Sequence, residues 1–328
     1  MTELQGKKVL VTGGAGFIGS TLVDSLLKFG CRVVAYDNFD DFYKGKEGNV
    51  KPNLANPKYK LVRADITQAD ALDAAMKGVD VVFHLAAQAG VRYCIANPVK
   101  AETVNVGGTL NVLLSARDRK VKKVVYASSS SIFGNPTRSV LSEDHPLNPT
   151  NPYGVSKLAA EKYCLAFHST YDLPVTCLRY FSVYGPRGRP DQVIYSFAKQ
   201  LEEGKPPVIY GDGRQSRDFT FVSDIVSGTI LAAMADESVG EVFNLGYGKD
   251  FPIEKVARMV IQRYGLDIDP KFVDSYKGDF PKTLCQNTKA RTILRWTPQV
   301  GLEQGIGEFM QWFKATQAKA GAPLERAR

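Results

Sequence analysis

Residues 9–12 are an apolar run that passes straight into Gly13-Gly14-Ala15-Gly16-Phe17-Ile18-Gly19. Helical periodicity follows over residues 18–29, with Leu22, Leu26, Leu27 and Phe29 as core candidates and Gly30 as the C-cap. Few folds accept a strand, a glycine turn and a helix in that order. Glycines are needed where a turn takes unusual φ, where backbone must touch a bound group, and where the helix packs on the strand. The amides and partial positive charge at the helix N-terminus then suit a phosphate. Residues 32–36 read as a second strand, and Asp37 closes it 18 residues after Gly19, where a carboxylate can bind an adenosine ribose. An acid there favours NAD over NADP, whose 2′-phosphate it repels. Glycines alone also make a plain tight turn; strand, helix and acid in register favour the dinucleotide. Asp65, after the third strand, reads equally as an adenine contact or as a helix N-cap before Ile66.

The alternation continues. Residues 59–63, 79–85, 123–127 and 175–180 are short β-rich runs, separated by helical stretches at 69–76, 104–116 and 151–169. Such spacing implies βαβ units and a buried parallel sheet. Gly, Pro, Arg and Asp then recur from 185 to 213 around a helix at 193–203. A helix near 224–235, a strand at 242–245 and a helix near 253–264 follow. The polar segment 40–60 reads as a surface loop and the tail 318–328 as frayed. With 44% apolar and 23% charged residues in 328, disorder and collagen-like repeats are excluded. A net charge of +8 favours polyanions such as a nucleotide without indicating nucleic acid. The five cysteines include no C-x-x-C, so a reduced chain is expected, with neither disulfides nor a metal site. The first residues lack an apolar signal segment, and no run approaches the about 18 residues of a membrane span. A soluble, cytoplasmic protein is the expectation.

Tyr153 and Lys157 stand four apart near a helix start, so both project from one face. A nearby ammonium stabilises phenolate, as does a nicotinamide's positive charge, and the phenol then acts as a base near neutral pH. Alone, this spacing usually marks an amphipathic helix. Here four serines, 128–131, follow the fifth strand, where α/β sheets place active sites. His84 lies in an apolar strand and reads as a core residue; His145 and His168 show no partner pattern.

With these residues in view, the whole chain resembles the nucleotide-sugar epimerase/dehydratase family of extended short-chain dehydrogenases/reductases. The matching segments are TGGAGFIGS (12–20), YDNF (36–39), AD (64–65), HLAAQAGV (84–91), YASSSSIFG (126–134) and NPYGVSKLAAEKY (151–163). LRYFSVYGPRGRPD (178–191), RDFTFVSDI (217–225) and GDFPKT (278–283) complete them. The resemblance implies an α/β fold: a Rossmann-type doubly wound parallel sheet with a smaller, interleaved C-terminal α/β substrate domain. The cofactor domain would be 1–181 plus about 224–248, and the nucleotide-sugar domain 182–223 plus 249–328.

By that similarity Tyr153 is the base, Lys157 holds the nicotinamide ribose, and Ser129 bridges substrate and phenol. Gly13, Gly16, Phe17, Ile18, Gly19, Asp37, Asn38, Asp65, Ile66, Leu85, Ala86, Ala87, Gln88 and Tyr180 would contact NAD, with Asn105 supporting the loops around it. Ser130, Ser131, Ser182, Arg189, Arg217, Asp279 and Thr283 would meet the substrate. Tyr276 stands where several epimerases carry a diphosphate-binding Arg, with Lys277 as the possible substitute. Dehydratases of the family follow the active-site hydroxyl with an Asp-Glu pair, and the decarboxylases with a Glu. Ser130 and Ser131 stand here instead, which favours a 4-epimerase working through a 4-keto sugar. Thr283 occupies a size gate and opens the pocket. Ser182 and Arg189 resemble the carboxylate-binding segment of UDP-glucuronate 4-epimerases, although Arg187 and Arg189 can trade roles. The expected order is UDP-glucuronate, then UDP-N-acetylglucosamine or UDP-glucose; a decarboxylase or dehydratase and a non-catalytic NAD-binding regulator are the rivals. Helices at 103–116 and 153–169 would pair across a homodimer as a four-helix bundle. Neither nucleic acid nor membrane is an expected partner.

Overall fold

The computed structural model describes residues 4–275 and 282–319. Strands β1 (Lys8–Thr12), β2 (Arg32–Asp37), β3 (Tyr59–Arg63), β4 (Val81–His84), β5 (Lys123–Ser129) and β6 (Val175–Tyr180) lie in one sheet. Three further strands are β7 (Ser182–Tyr184), β8 (Val208–Tyr210) and β9 (Ser216–Phe221). Then come β10 (Val242–Leu245), β11 (Asp250–Pro252), β12 (Lys271–Val273) and β13 (Lys282–Thr283). The first sheet has seven strands in the order β10-β6-β5-β4-β1-β2-β3. All its pairings are parallel. The order reverses between β1 and β4, which opens a crevice at their carboxyl ends. A four-stranded sheet gathers β7, β11 and β13 around β9, and β8 pairs with β12.

Helices cover both faces: α1 (Phe17–Lys28), α2 (Lys46–Val50), α3 (Ala69–Met76), α4 (Val91–Ala96), α5 (Pro98–Glu102), α6 (Gly108–Asp118) and α7 (Pro152–Tyr171). Later come α8 (Val193–Glu202), α9 (Val222–Met234), α10 (Ile253–Tyr264), α11 (Thr288–Ile293) and α12 (Leu302–Lys319). Side chains alternate across a strand, so β1 sends Val9 and Val11 into one core and Leu10 into the other. The first core includes Leu22, Leu26, Ile225 and Trp296; the second includes Leu72, Val112, Cys164 and Phe167. A third, with Phe197, Val256, Val260, Ile306 and Phe309, lies among α8, α10 and α12.

Several elements differ from the sequence expectation. Segment 40–60 is not simply a loop: it carries α2 and a 3₁₀ turn, Lys51–Asn53. Before α6 the chain makes a π turn, Thr103–Gly107. β5 runs to Ser129, so only Ser130 and Ser131 of the serine run leave the strand, in a 3₁₀ turn, Ser130–Phe133. Asn151 is the N-cap of α7, its side chain accepting the Gly154 N–H, and Pro152 opens the helix. Among the described residues no helix is long and apolar enough to cross a membrane, and no His/Cys/Asp/Glu group could hold a metal. The five cysteines are buried and free. Residues 320–328 of the tail lie outside the described residues.

One buried ion pair ties α7 to β6. The Arg179 guanidinium meets the Glu161 carboxylate at 2.7 Å, both side chains nearly inaccessible. Ser128 donates to the same carboxylate at 2.6 Å, and Arg179 Nη1 donates to the Glu143 carbonyl at 2.9 Å. Removing one partner of such a pair leaves an uncompensated buried charge. Arg179→Met is therefore expected to destabilise the fold by about 3–5 kcal/mol, measured as the shift of the urea unfolding curve; a loss below about 1 kcal/mol contradicts this reading.

Candidate active site

The glycine turn works by excluding side chains. A Cβ on Gly13, which has φ +70°, would lie 2.9 Å from the Ala86 nitrogen, and one on Gly19 only 2.0 Å from the Gly13 carbonyl oxygen. The turn therefore seats directly against the backbone leaving β4 and against its own helix. Asp37 closes β2, accepting the Ala15 N–H at 3.0 Å and the Phe39 N–H at 2.8 Å. Asn38 donates to Asp65 at 2.6 Å. Asp65 in turn accepts the Thr67 N–H and hydroxyl, each at 2.8 Å. It organises a turn and does not cap a helix, because α3 starts only at Ala69. The wall after β4 hangs on Asn105, which exchanges hydrogen bonds with the Gln88 N–H at 2.7 Å and the Gln88 carbonyl at 3.1 Å. Its Nδ2 also donates to Ser156 at 2.9 Å, joining this wall to α7.

The strap 40–50 was missed from sequence. Tyr43 accepts the Phe17 N–H at 3.0 Å, at the start of α1, and Asn49 donates to the Ala15 carbonyl at 3.0 Å. Phe42 packs edge-on to Tyr93, and Asp40 pairs with Lys100 at 2.7 Å. Two aromatic residues inside a polar stretch were the available signal. Asp40, Phe42, Tyr43, Lys46 and Lys100 line the same cleft as the glycine turn, Asp37, Asn38, Asp65, Ile66 and residues 85–88.

Tyr153, Lys157, Tyr180 and Arg189 line this cleft too. Lys157 is 3% exposed, and burial brings its ammonium down to about 8. The Ser129 hydroxyl stands beside the Tyr153 phenol, accepts the Ser131 N–H at 3.2 Å and donates to the Ser131 hydroxyl at 3.2 Å. Burial raises the Tyr153 phenol above its ordinary value; Arg189 opposes this most strongly, and the Ser129 hydroxyl comes next. The Tyr180 hydroxyl is engaged with Thr229 at 2.7 Å.

The two arginines are distinct. Arg187, at φ +67°, pairs with Asp24 of α1 at 2.7 Å, whereas Arg189 lines the cleft. Asp191 holds Arg189 through Nε and Nη2, both at 2.9 Å. Ser182 stands in β7 opposite Phe219, and Arg217 in β9 opposite Thr283 of β13. Asp218, beside Arg217, accepts backbone N–H groups of Tyr247, Gly248 and Cys285 at 2.7, 2.8 and 3.1 Å. Burial lifts its carboxyl to about 6 against those bonds. Asp279, Tyr276 and Lys277 lie outside the described residues.

A parallel sheet with a glycine turn at its switch point, an acid ending β2, and Tyr153 and Lys157 on one cleft define a dinucleotide-binding α/β enzyme. Residues 9–246 match the family model of the NAD dependent epimerase/dehydratase family, and the chain belongs to that family. It is 38% identical over 313 residues to a UDP-glucose 4-epimerase of Mycolicibacterium smegmatis, covering 94% of this chain and 98% of that one. To a UDP-glucuronate 4-epimerase of Thermodesulfobacterium geofontis it is 37% identical over 314 residues, covering 93% and 95%. The crystal structure of UDP-glucuronic acid 4-epimerase from Bacillus cereus, in complex with UDP-glucuronic acid and NAD, is similar with a TM-score of 0.89. There the identity is 36%, over 94% of this chain and 99% of that one.

Gly19→Ala sets a methyl carbon 2.0 Å from a backbone oxygen, so α1 must shift away from the turn. NAD binding by titration calorimetry is expected to disappear while far-ultraviolet circular dichroism persists; unchanged affinity contradicts the assignment of the turn.

Proposed function

We propose that the chain is an NAD-dependent UDP-sugar 4-epimerase that interconverts UDP-glucuronate and UDP-galacturonate in preference to neutral sugars. The observation that carries the reaction type is Tyr153 and Lys157 side by side on the cofactor cleft with Ser129 next to the phenol, and after Ser129 a turn, Ser130–Phe133, without any carboxylate. The residues fit NAD: amides of the glycine turn and α1 for the diphosphate, Asp37 for the adenosine ribose, Lys157 for the nicotinamide ribose. When bound, NAD supplies a hydride acceptor and donor for C4 of the sugar and a positive ring that favours the Tyr153 phenolate.

Tyr153, directly or through Ser129, takes the proton of the 4-hydroxyl and returns it when C4 is reduced on its other face. Ser130 and Ser131 offer hydrogen bonds to the sugar and no acid to drive elimination, which argues against a dehydratase or decarboxylase. Arg189 supplies the uronate contact: Asp191 fixes the plane of its guanidinium, leaving Nη1 for a carboxylate. That contact also restrains the β-keto acid from losing CO₂. Ser182 and Thr283 border the sugar, with Arg217 and Asp279 on the nucleotide diphosphate and ribose. Cofactor binding is assigned to 1–181 with about 224–248, the span of every strand of the seven-stranded sheet. Nucleotide-sugar binding is assigned to 182–223 with 249–328. A cytoplasmic location accords with five reduced cysteines.

A second reading, a UDP-glucose or UDP-N-acetylglucosamine 4-epimerase, is favoured by the same Asp191, which already occupies much of Arg189's charge. Incubation with UDP-glucuronate, UDP-glucose and UDP-N-acetylglucosamine, with products resolved by NMR, separates the readings. UDP-galacturonate is expected from the first at the highest kcat/KM, and Tyr153→Phe should lower turnover by about 10²–10⁴-fold. Arg189→Ala should cost about tenfold to a hundredfold on the uronate alone; equal losses on all three sugars reject the uronate preference.

We also propose a homodimer through a four-helix bundle. Val99 is 76% exposed, and Ile95, Leu114, Val155 and Tyr163 on α4, α6 and α7 are exposed too. Exposed apolar residues on the two helices of the expected bundle and their neighbours suit a second copy. Light scattering should give twice the 36.0 kDa chain mass, and Val155→Asp should shift it to monomer; a wild-type monomer refutes the dimer.

A further inference from the structure

Lys157 projects into the cleft, yet its inner side is enclosed by protein, and the groups around it can be named strand by strand. Its own helix brings Tyr153, Glu161 and Cys164; β4 brings His84, β5 brings Tyr126, and β6 brings Cys177. The Glu161 carboxylate is engaged by Arg179 and Ser128. Among the described residues no carboxylate stands within ion-pair distance of Lys157. Cys177 is held as a thiol, raised by its hydrogen bond to Cys164 and by burial, and burial brings the His84 ring down to about 3, so it is neutral. What touches the ammonium from inside is a ring. Lys157 Nζ sits 4.4 Å from the centroid of Tyr126, which is 1% exposed. The Tyr126 hydroxyl reaches back to the Lys157 backbone carbonyl at 3.5 Å.

We propose that Tyr126 is a positioning residue for Lys157: its π face helps keep the ammonium charged and directed into the cleft, where no carboxylate pairs with it directly. The proposal rests on the reading of Lys157 as the cation that serves the cofactor ribose and Tyr153. Burial penalises the charged lysine, and a cation–π contact in a desolvated site opposes that penalty with strength that follows the electron density of the ring. Less π density therefore means an ammonium that loses its proton at lower pH. Because the charged form is the working one, the lysine's contribution to activity is fully present below its folded value and is lost as pH rises through it, near 8.

The test keeps the shape of the ring and changes only its electrons. Tyr126→Phe is the parent, and phenylalanines with one, two and three ring fluorines replace it in turn. In the full chain with NAD bound, kcat against pH is recorded for each variant, with Lys157→Met alongside. The basic limb should stay near its wild-type position in Tyr126→Phe and move stepwise to lower pH with each fluorine, about one pH unit in all. A limb that stays in place across the series, or its absence from wild type, overturns the proposal. If Lys157→Met is inactive while the fluorine series is flat, the proposal falls alone; if Lys157→Met keeps full activity, the reading of Lys157 falls with it.

Discussion

The site depends on a backbone-to-backbone contact: the glycine turn after β1 rests on the chain leaving β4 with no room for a methyl group between them. A chain of hydrogen bonds fixes that contact from beneath. Thr109 donates to the Asn105 carbonyl at 2.6 Å, so its oxygen accepts the proton of His84 Nε2 at 2.9 Å. His84 Nδ1 then accepts from Thr12 at 2.7 Å, and Thr12 accepts the Leu85 and Ala86 N–H groups at 3.2 Å each. By elimination the ring is neutral with its proton on Nε2. The last residue of β1, the wall after β4 and the π turn before α6 are thereby one unit, and Asn105 carries it on to Ser156 of α7.

The second principle is how charge survives inside an apolar sheet. At β6 the solution is pairing: Glu161, Arg179 and Ser128 satisfy one another below the active site. Two strands away, on β4, His84 solves the same problem by staying neutral. Lys157 uses neither device: what lies against its ammonium is the Tyr126 ring, 4.4 Å away. The arrangement also gives each serine of the run a separate task. Ser128 faces inward to Glu161, whereas Ser129, one residue on and so on the opposite side of the strand, reaches Tyr153.

Much of this could be read in the chain itself. Strand–helix alternation and the glycine turn are local signals, so the order of elements and the parallel sheet followed from periodicity. Tyr153 and Lys157 were legible because four residues bring side chains together on one helix. What stayed hidden is set by long-range contact. Tyr43 meets Phe17 across 26 residues, and its strap looked like a polar loop because its polar groups are spent on Asp37, Ala15 and Lys100. The choice between Arg187 and Arg189 likewise turns on Asp24, far away on α1. Burial was likewise illegible: proximity in sequence says nothing of the desolvation that raises the Tyr153 phenol.

Under the proposed function, Arg189 joins recognition to reactivity. It is the strongest pull lowering the Tyr153 phenol, and Asp191 beside it pushes the other way. A neutral sugar leaves that balance untouched. A uronate draws on the same guanidinium, so each hydrogen bond it gains weakens the help Arg189 gives to phenolate. Activation then falls more heavily on the positive ring of the cofactor and on Ser129. An epimerase that takes uronates through this arginine thus exchanges some basicity of its tyrosine for hold on the carboxylate, and Asp191, by fixing the guanidinium plane, sets the ratio of that exchange.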